Sequence, residues 1–152
     1  MARTDSALLV HKAGDLPAMG TFPSSANTLY PKGTIVTRSS AGRAVSPSTA
    51  DLSGNPAVGV AKATFLNRTG DEMGGLDDSG QIEVNYGVYF FAYSGTAPQP
   101  GQVLYVVDNQ TLSVDPSTGR GVAGIATETR TLNGTAKVGC AMSPVFASEA
   151  VA

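Results

Sequence analysis

Glycine and proline interrupt this chain so often that a long helix has no room to form. Its 152 residues include 18 Gly and 9 Pro, and Ser and Thr contribute 29 more. Leu numbers only 10, and Glu and Lys together only 8. Long amphipathic helices draw on those residues with Ala, so the composition argues against a helical bundle. What lies between the turns is short, alternating and rich in β-branched side chains, the pattern of half-buried strands. Residues 33–38 form one such run, 39–42 a turn and 43–46 the returning strand. Residues 57–66 form a longer strand in which Gly59 marks a bulge. Residues 81–93 carry the strongest strand signal, with Ile82, Val84, Tyr86 and Val88 on one face and a bend at Gly87. Tyr89, Phe91 and Tyr93 then alternate with Phe90, so both faces are apolar. That fits either a central core strand or a strand with one face on a neighbouring subunit.

The second half repeats the plan of the first. Residues 31–36 line up with 99–104, 46–49 with 115–118, 57–61 with 122–126, and 65–67 with 131–133. Each half reads as hairpin, loop, central strand, turn and closing strand. The expected fold is all-β, a compact β-barrel or β-sandwich built from two similar halves, about 30–93 and 99–146, within one domain at 30–152. Ile35, Val45, Val58, Val60 and Val84 are expected to share a core with Leu104, Val106, Val114, Ile125 and Val138. With 20 Ala and no Trp that core is thin, and oligomerisation is the usual remedy. Residues 1–29 stand apart. Gly14, Pro17, Gly20 and Pro23 surround one apolar patch, Ala7-Leu8-Leu9-Val10. The segment reads as an extended N-terminal arm, or equally as an edge strand at 7–12 followed by a loop.

Charge and rare residues narrow the chemistry. A net charge of −2 with 14% charged residues lacks the basic stripe of a nucleic-acid binder, and 41% apolar content argues against disorder. No apolar run approaches the ~20 residues of a spanning helix, and residues 1–10 lack the pattern of a secretory signal. The expected partners therefore include neither nucleic acid nor membrane. One cysteine, Cys140, cannot form an intrachain disulfide, and with His11 it is too little for a structural zinc site. No phosphate loop, dinucleotide fingerprint or nucleophile elbow occurs, and the glycine-rich 119–124 reads as turn plus strand. The sequons at Asn67 and Asn133 read as turns. Asp71, Glu72, Asp77 and Asp78 fall in one glycine-rich loop. They fit a solvated turn, or more remotely a hard cation, although the spacing is not that of an EF-hand. The expectation is a protein that is not an enzyme and uses no cofactor.

An ordered series of features carries a family resemblance. A Pro/Thr-containing N-terminal segment leads to Gly33-Thr34-Ile35-Val36, then Gly42-Arg43-Ala44-Val45, then Asn55-Pro56-Ala57-Val58-Gly59-Val60-Ala61, then a strand ending in aromatics at 81–91. This order resembles the capsid decoration, or cement, proteins of tailed bacteriophages, in particular the lambda-like head-decoration family. Pro100-Gly101-Gln102-Val103-Leu104-Tyr105 and Val122-Ala123-Gly124-Ile125-Ala126 are similar to related small phage structural proteins. The resemblance covers roughly residues 20–142, and this chain is longer and more plainly two-part than the lambda-like type. It implies a virion protein, made in the bacterial host cytoplasm, that binds the major capsid protein outside the expanded head. It also implies a homotrimer at three-fold and quasi-three-fold positions. Residues of the arm, Leu8, Leu9, Val10, Phe22 and Pro23, would then make the capsid contact. The alternative is another phage structural protein, a tail-associated or head-fibre module that binds a receptor or glycan.

Overall fold

The computed structural model describes residues 19–50 and 52–142. Every regular element among them is a strand: β1 (Met19–Pro23), β2 (Thr28–Tyr30), β3 (Ile35–Arg38), β4 (Ala44–Val45), β5 (Ala57–Ala61), β6 (Phe65–Asn67), β7 (Gln81–Asn85), β8 (Gly87–Tyr93), β9 (Val103–Val106), β10 (Thr111–Ser113), β11 (Val122–Leu132) and β12 (Thr135–Met142). The protein is all-β.

Hydrogen bonding sorts the strands into two lobes and a small ribbon. The N-terminal sheet has the order β1-β7-β5-β3-β4. The C-terminal strands form a closed barrel, β8-β12-β11-β9-β10, with β10 returning to β8. These are one strand order used twice, and the registers agree residue by residue. Ile35, Val36 and Thr37 of β3 oppose Val60, Gly59 and Ala57 of β5. Val103, Leu104 and Tyr105 of β9 oppose Ile125, Gly124 and Val122 of β11, with the same irregularity at the same step. Val60 and Ala61 pair with Asn85 and Val84, as Ile125 and Ala126 pair with Ala141 and Cys140. The seam repeats too. Leu112 pairs in parallel with Tyr93 to close the barrel, and Ala44 meets Ser24 in a single parallel bridge in the N-terminal sheet. Gly59 and Gly124 fix this geometry. A Cβ at Gly59 would lie 2.6 Å from the Asn85 carbonyl oxygen, and one at Gly124 would collide with that of Ala141.

The pairing moves two boundaries expected from sequence. Residues 19–29 are not an extended arm: β1 runs antiparallel to β7 over its full length, from Met19 opposite Asn85 to Pro23 opposite Gln81. Gly20 and Pro23 read as breakers, but a short strand at the seam tolerates both. The run 81–93 is two strands that part at Tyr86, where Gly87 adopts φ 138°. β7 belongs to the N-terminal sheet and β8 to the barrel, so β1 rather than 81–93 closes the first half. The face read through Val88 also breaks there. Val88 points out, 53% exposed, while Tyr89 and Tyr93 pack toward the barrel core. Residues 65–67 are not counterparts of 131–133, since β6 pairs with β2 whereas the end of β11 pairs with β12.

The apolar residues form two clusters rather than one shared core. Val36, Ala44, Val58, Ala61, Ile82 and Val84 gather inside the N-terminal sheet with Tyr30, and Phe22, Phe65 and Tyr86 pack against them. Gly20 on β1 makes room for Tyr86, whose hydroxyl lies where a Cβ would be. Leu104, Val106, Leu112, Val138 and Cys140 fill the barrel. The outward-facing Ile35, Ala57 and Val60 of the N-terminal sheet join this second cluster and are buried against the barrel. Ile125, the barrel counterpart of Val60, is only half-buried. Backbone bonds pin the lobes together: the Ile35 N–H donates to Asn109 O (2.8 Å), and the Gly54 N–H to Gly119 O (2.8 Å).

Candidate interaction surface

The halves differ most in what is added to the first. Between β1 and β3 it carries β2, and between β5 and β7 it carries β6 and the loop 68–80. These additions form a cap on the N-terminal sheet. Elaborated loops on a rigid scaffold are where binding concentrates.

Asn67, fully buried, organises the cap. Its Nδ2 lies within hydrogen-bond distance of Ser24 Oγ (3.1 Å), Ser25 O (2.9 Å) and Leu76 O (2.7 Å). Its Oδ1 accepts the Gly75 N–H (2.8 Å). A buried amide satisfied on both ends fixes three chain segments at once. Asn27, at φ 47°, adds a second tie: its Oδ1 accepts both the N–H (3.1 Å) and the hydroxyl (2.9 Å) of Thr69. The Ser24 hydroxyl donates to Ser79 O (2.9 Å), and the Asp78 N–H donates to Ser24 O (2.8 Å). Beneath the cap, the buried Tyr30 hydroxyl donates to Ala44 O (2.6 Å) and accepts the Ser25 N–H (2.8 Å). Burial raises the Tyr30 phenol above its ordinary pKa, so it stays a donor.

Three of the loop's four acidic residues, Asp71, Asp77 and Asp78, make ties. Asp77 Oδ1 accepts the Ala26 N–H (2.8 Å). Arg43 of the β3–β4 turn grips Asp78 with two bonds, Nε to Oδ1 (2.9 Å) and Nη2 to Oδ2 (3.1 Å). That contact holds the Asp78 carboxyl below the usual range and lifts the guanidinium further. Asp71 pairs with Arg68 (3.3 Å). Among the described residues, no group of three or more His, Cys, Asp or Glu converges to hold a metal ion.

On this fixed cap stand two apolar side chains that face solvent, Leu76, 71% exposed, and Leu29, 48% exposed. With Met19 and Val88 they are the exposed large apolar side chains among the described residues. Leu76 was legible as a lone apolar residue between Gly75 and Asp77 in an acidic loop. Asn67 was not, because a turn asparagine and a buried one look alike in sequence.

Of the residues expected to touch a capsid, Leu8, Leu9 and Val10 lie outside the described residues, as does His11. Phe22 and Pro23 lie in β1, and Phe22 packs on the core of the N-terminal sheet. Their assignment to a free arm is corrected accordingly. Cys140 is buried in the barrel, and burial pushes its thiol up to about 12, far from a nucleophile's range. Comparison with known protein families, with curated proteins and with solved structures returns no match for this chain.

Proposed function

We propose that this chain is a capsid decoration protein of a tailed bacteriophage, one that binds the major capsid protein on the outside of the expanded head. The observation that carries the reading is the cap. Leu76 on the loop 68–80 and Leu29 on β2 are presented to solvent by a cap that Asn67 and Asn27 lock in place. A surface ordered in advance loses little entropy on docking, so each small contact is used efficiently. The reading needs no cofactor and no catalytic group. A protein that binds the assembled shell but not its separated subunits stabilises the shell by mass action, and many copies on one head act together. Self-association, a trimer in the family it resembles, belongs to the same reading.

Co-sedimentation with expanded heads and with unexpanded precursor heads tests the proposal. Binding to the expanded form alone is expected, with Leu76→Asp weakening it at least about tenfold, the loss of ~1.4 kcal/mol. Removal of residues 1–18 is expected to weaken binding without unfolding the protein. Equal binding to both head forms, or wild-type binding by Leu76→Asp, would contradict the cap assignment. Selective binding to glycans in place of heads would select the tail-associated alternative.

A further inference from the structure

The two lobes repeat each other, yet among the described residues their equivalent outer faces are covered unequally. Across the N-terminal sheet, cross-strand partners run Met19, Asn85, Val60, Ile35. Met19 is exposed and Asn85 half-buried, but Val60 and Ile35 are buried there by the barrel, whose β9–β10 turn lays the Asn109 carbonyl on the Ile35 N–H. Across the barrel, the equivalent partners run Val88, Ala141, Ile125, Val103. All four are apolar, where the first row contains Asn85. Val88 is 53% exposed, and the other three are only half-buried.

The covered row shows what fits such a face: one end of a lobe of this same chain. The element that lies on it, the β9–β10 end, has a repeat counterpart in the β3–β4 end. Arg38 stands there where the barrel has Val106, and Ala41 where it has Asn109. Ser40 and Ala41 at that end are exposed. We propose that the Val88–Ala141–Ile125–Val103 row receives the β3–β4 end of a second copy, repeating between molecules the contact that joins the lobes within one. Arg38 is exposed at that end as well, and its charge makes the contact between molecules more polar than the internal one, so it dissociates on dilution. The contact is head-to-tail, and it builds a ring where the rotation closes and a filament where it does not.

This inference specifies the self-association within the decoration reading. Its test uses the isolated protein, so it can fail while head binding stands, and the reverse. Sedimentation velocity of the full chain over a wide concentration range is expected to show mass rising with concentration. Ile125→Glu is expected to hold the protein at monomer mass with an unchanged circular-dichroism spectrum. Val88→Glu, at a more exposed position, is expected to do the same if Ile125→Glu folds poorly. Arg38→Val, which restores the barrel's residue, is expected to tighten association about tenfold. A monomer at every concentration overturns the proposal, as does an association that neither glutamate variant weakens or that Arg38→Val leaves unchanged. Association that appears only after removal of residues 1–18 overturns it too, because the row would then be covered by its own chain.

Discussion

Asn67 concentrates more structure in one side chain than any other residue of the cap. Replacing it with Ala strands the Gly75 N–H and the Leu76 and Ser25 carbonyls away from their partner. Each buried polar group left unmade costs about 1–3 kcal/mol. Asn67→Ala is expected to destabilise the protein by about 2–4 kcal/mol in urea denaturation, since water re-satisfies part of the loss. An effect under about 0.5 kcal/mol, the level of an ordinary surface change, would refute a central role. Cys140 gives the opposite case. It occupies the position in the barrel that Val84 holds in the N-terminal sheet, and both are fully buried. With its thiol pushed up to about 12, labelling by a thiol reagent at neutral pH is expected only as fast as the barrel opens. Cys140→Val, which installs the sister residue, is expected to cost less than about 1.5 kcal/mol, and rapid labelling of the native protein would contradict this placement.

At the scale of elements, the cap loop depends on charge. The Asp78 carboxyl is lowered by the Arg43 guanidinium, so folding favours its ionised form. Stability from such a group is present above its unfolded pKa, about 3.9, and is lost as pH falls through the folded value. The protection of amides in residues 68–80, measured against their intrinsic exchange rates, is therefore expected to fall as pH drops below about 4. Asp78→Asn is expected to abolish that dependence, and a loop whose protection ignores pH would count against the Arg43 tie. Strand existence was legible in the sequence because alternation and turn residues are local. The expected run 33–38 holds β3, while 57–66 is split into β5 and β6 and 81–93 into β7 and β8. Strand partners were not legible. Whether 87–93 pairs forward or back is decided by Tyr89 opposite Cys140 and Phe91 opposite Val138, contacts some fifty residues apart. β1 was hidden for a related reason. Met19–Pro23 has weak local propensity and owes its strand to the ladder that β7 offers. The cap's leucine was visible as a residue, but the network that holds it outward depends on burial, which no local pattern records.

The whole molecule is two lobes with one shared seam of apolar side chains. Ile35, Ala57 and Val60 grow on one lobe and are buried with the core of the other. Calorimetry is expected to show a single unfolding transition, because neither lobe keeps its burial when its neighbour opens. Ile35→Ala is expected to cost about 2–5 kcal/mol, as for other large-to-small core changes. Two well-separated transitions in the parent protein would show the lobes to be independent.

Two lobes with matching registers also invite a folding error, in which the first strand of one ladder is taken up by the other. Gly20 and Tyr89 hold equivalent places on β1 and β8, and Tyr86 and Met142 do so after β7 and in β12. Of these four, Tyr86 has its hydroxyl where a Cβ on Gly20 would be, and Tyr89 packs on the barrel cluster that includes Met142. An exchanged strand would force two phenol rings into the space of one and leave a hollow beside methionine in the other. The duplicated architecture thus carries its own proofreading, written in the bulk of four side chains.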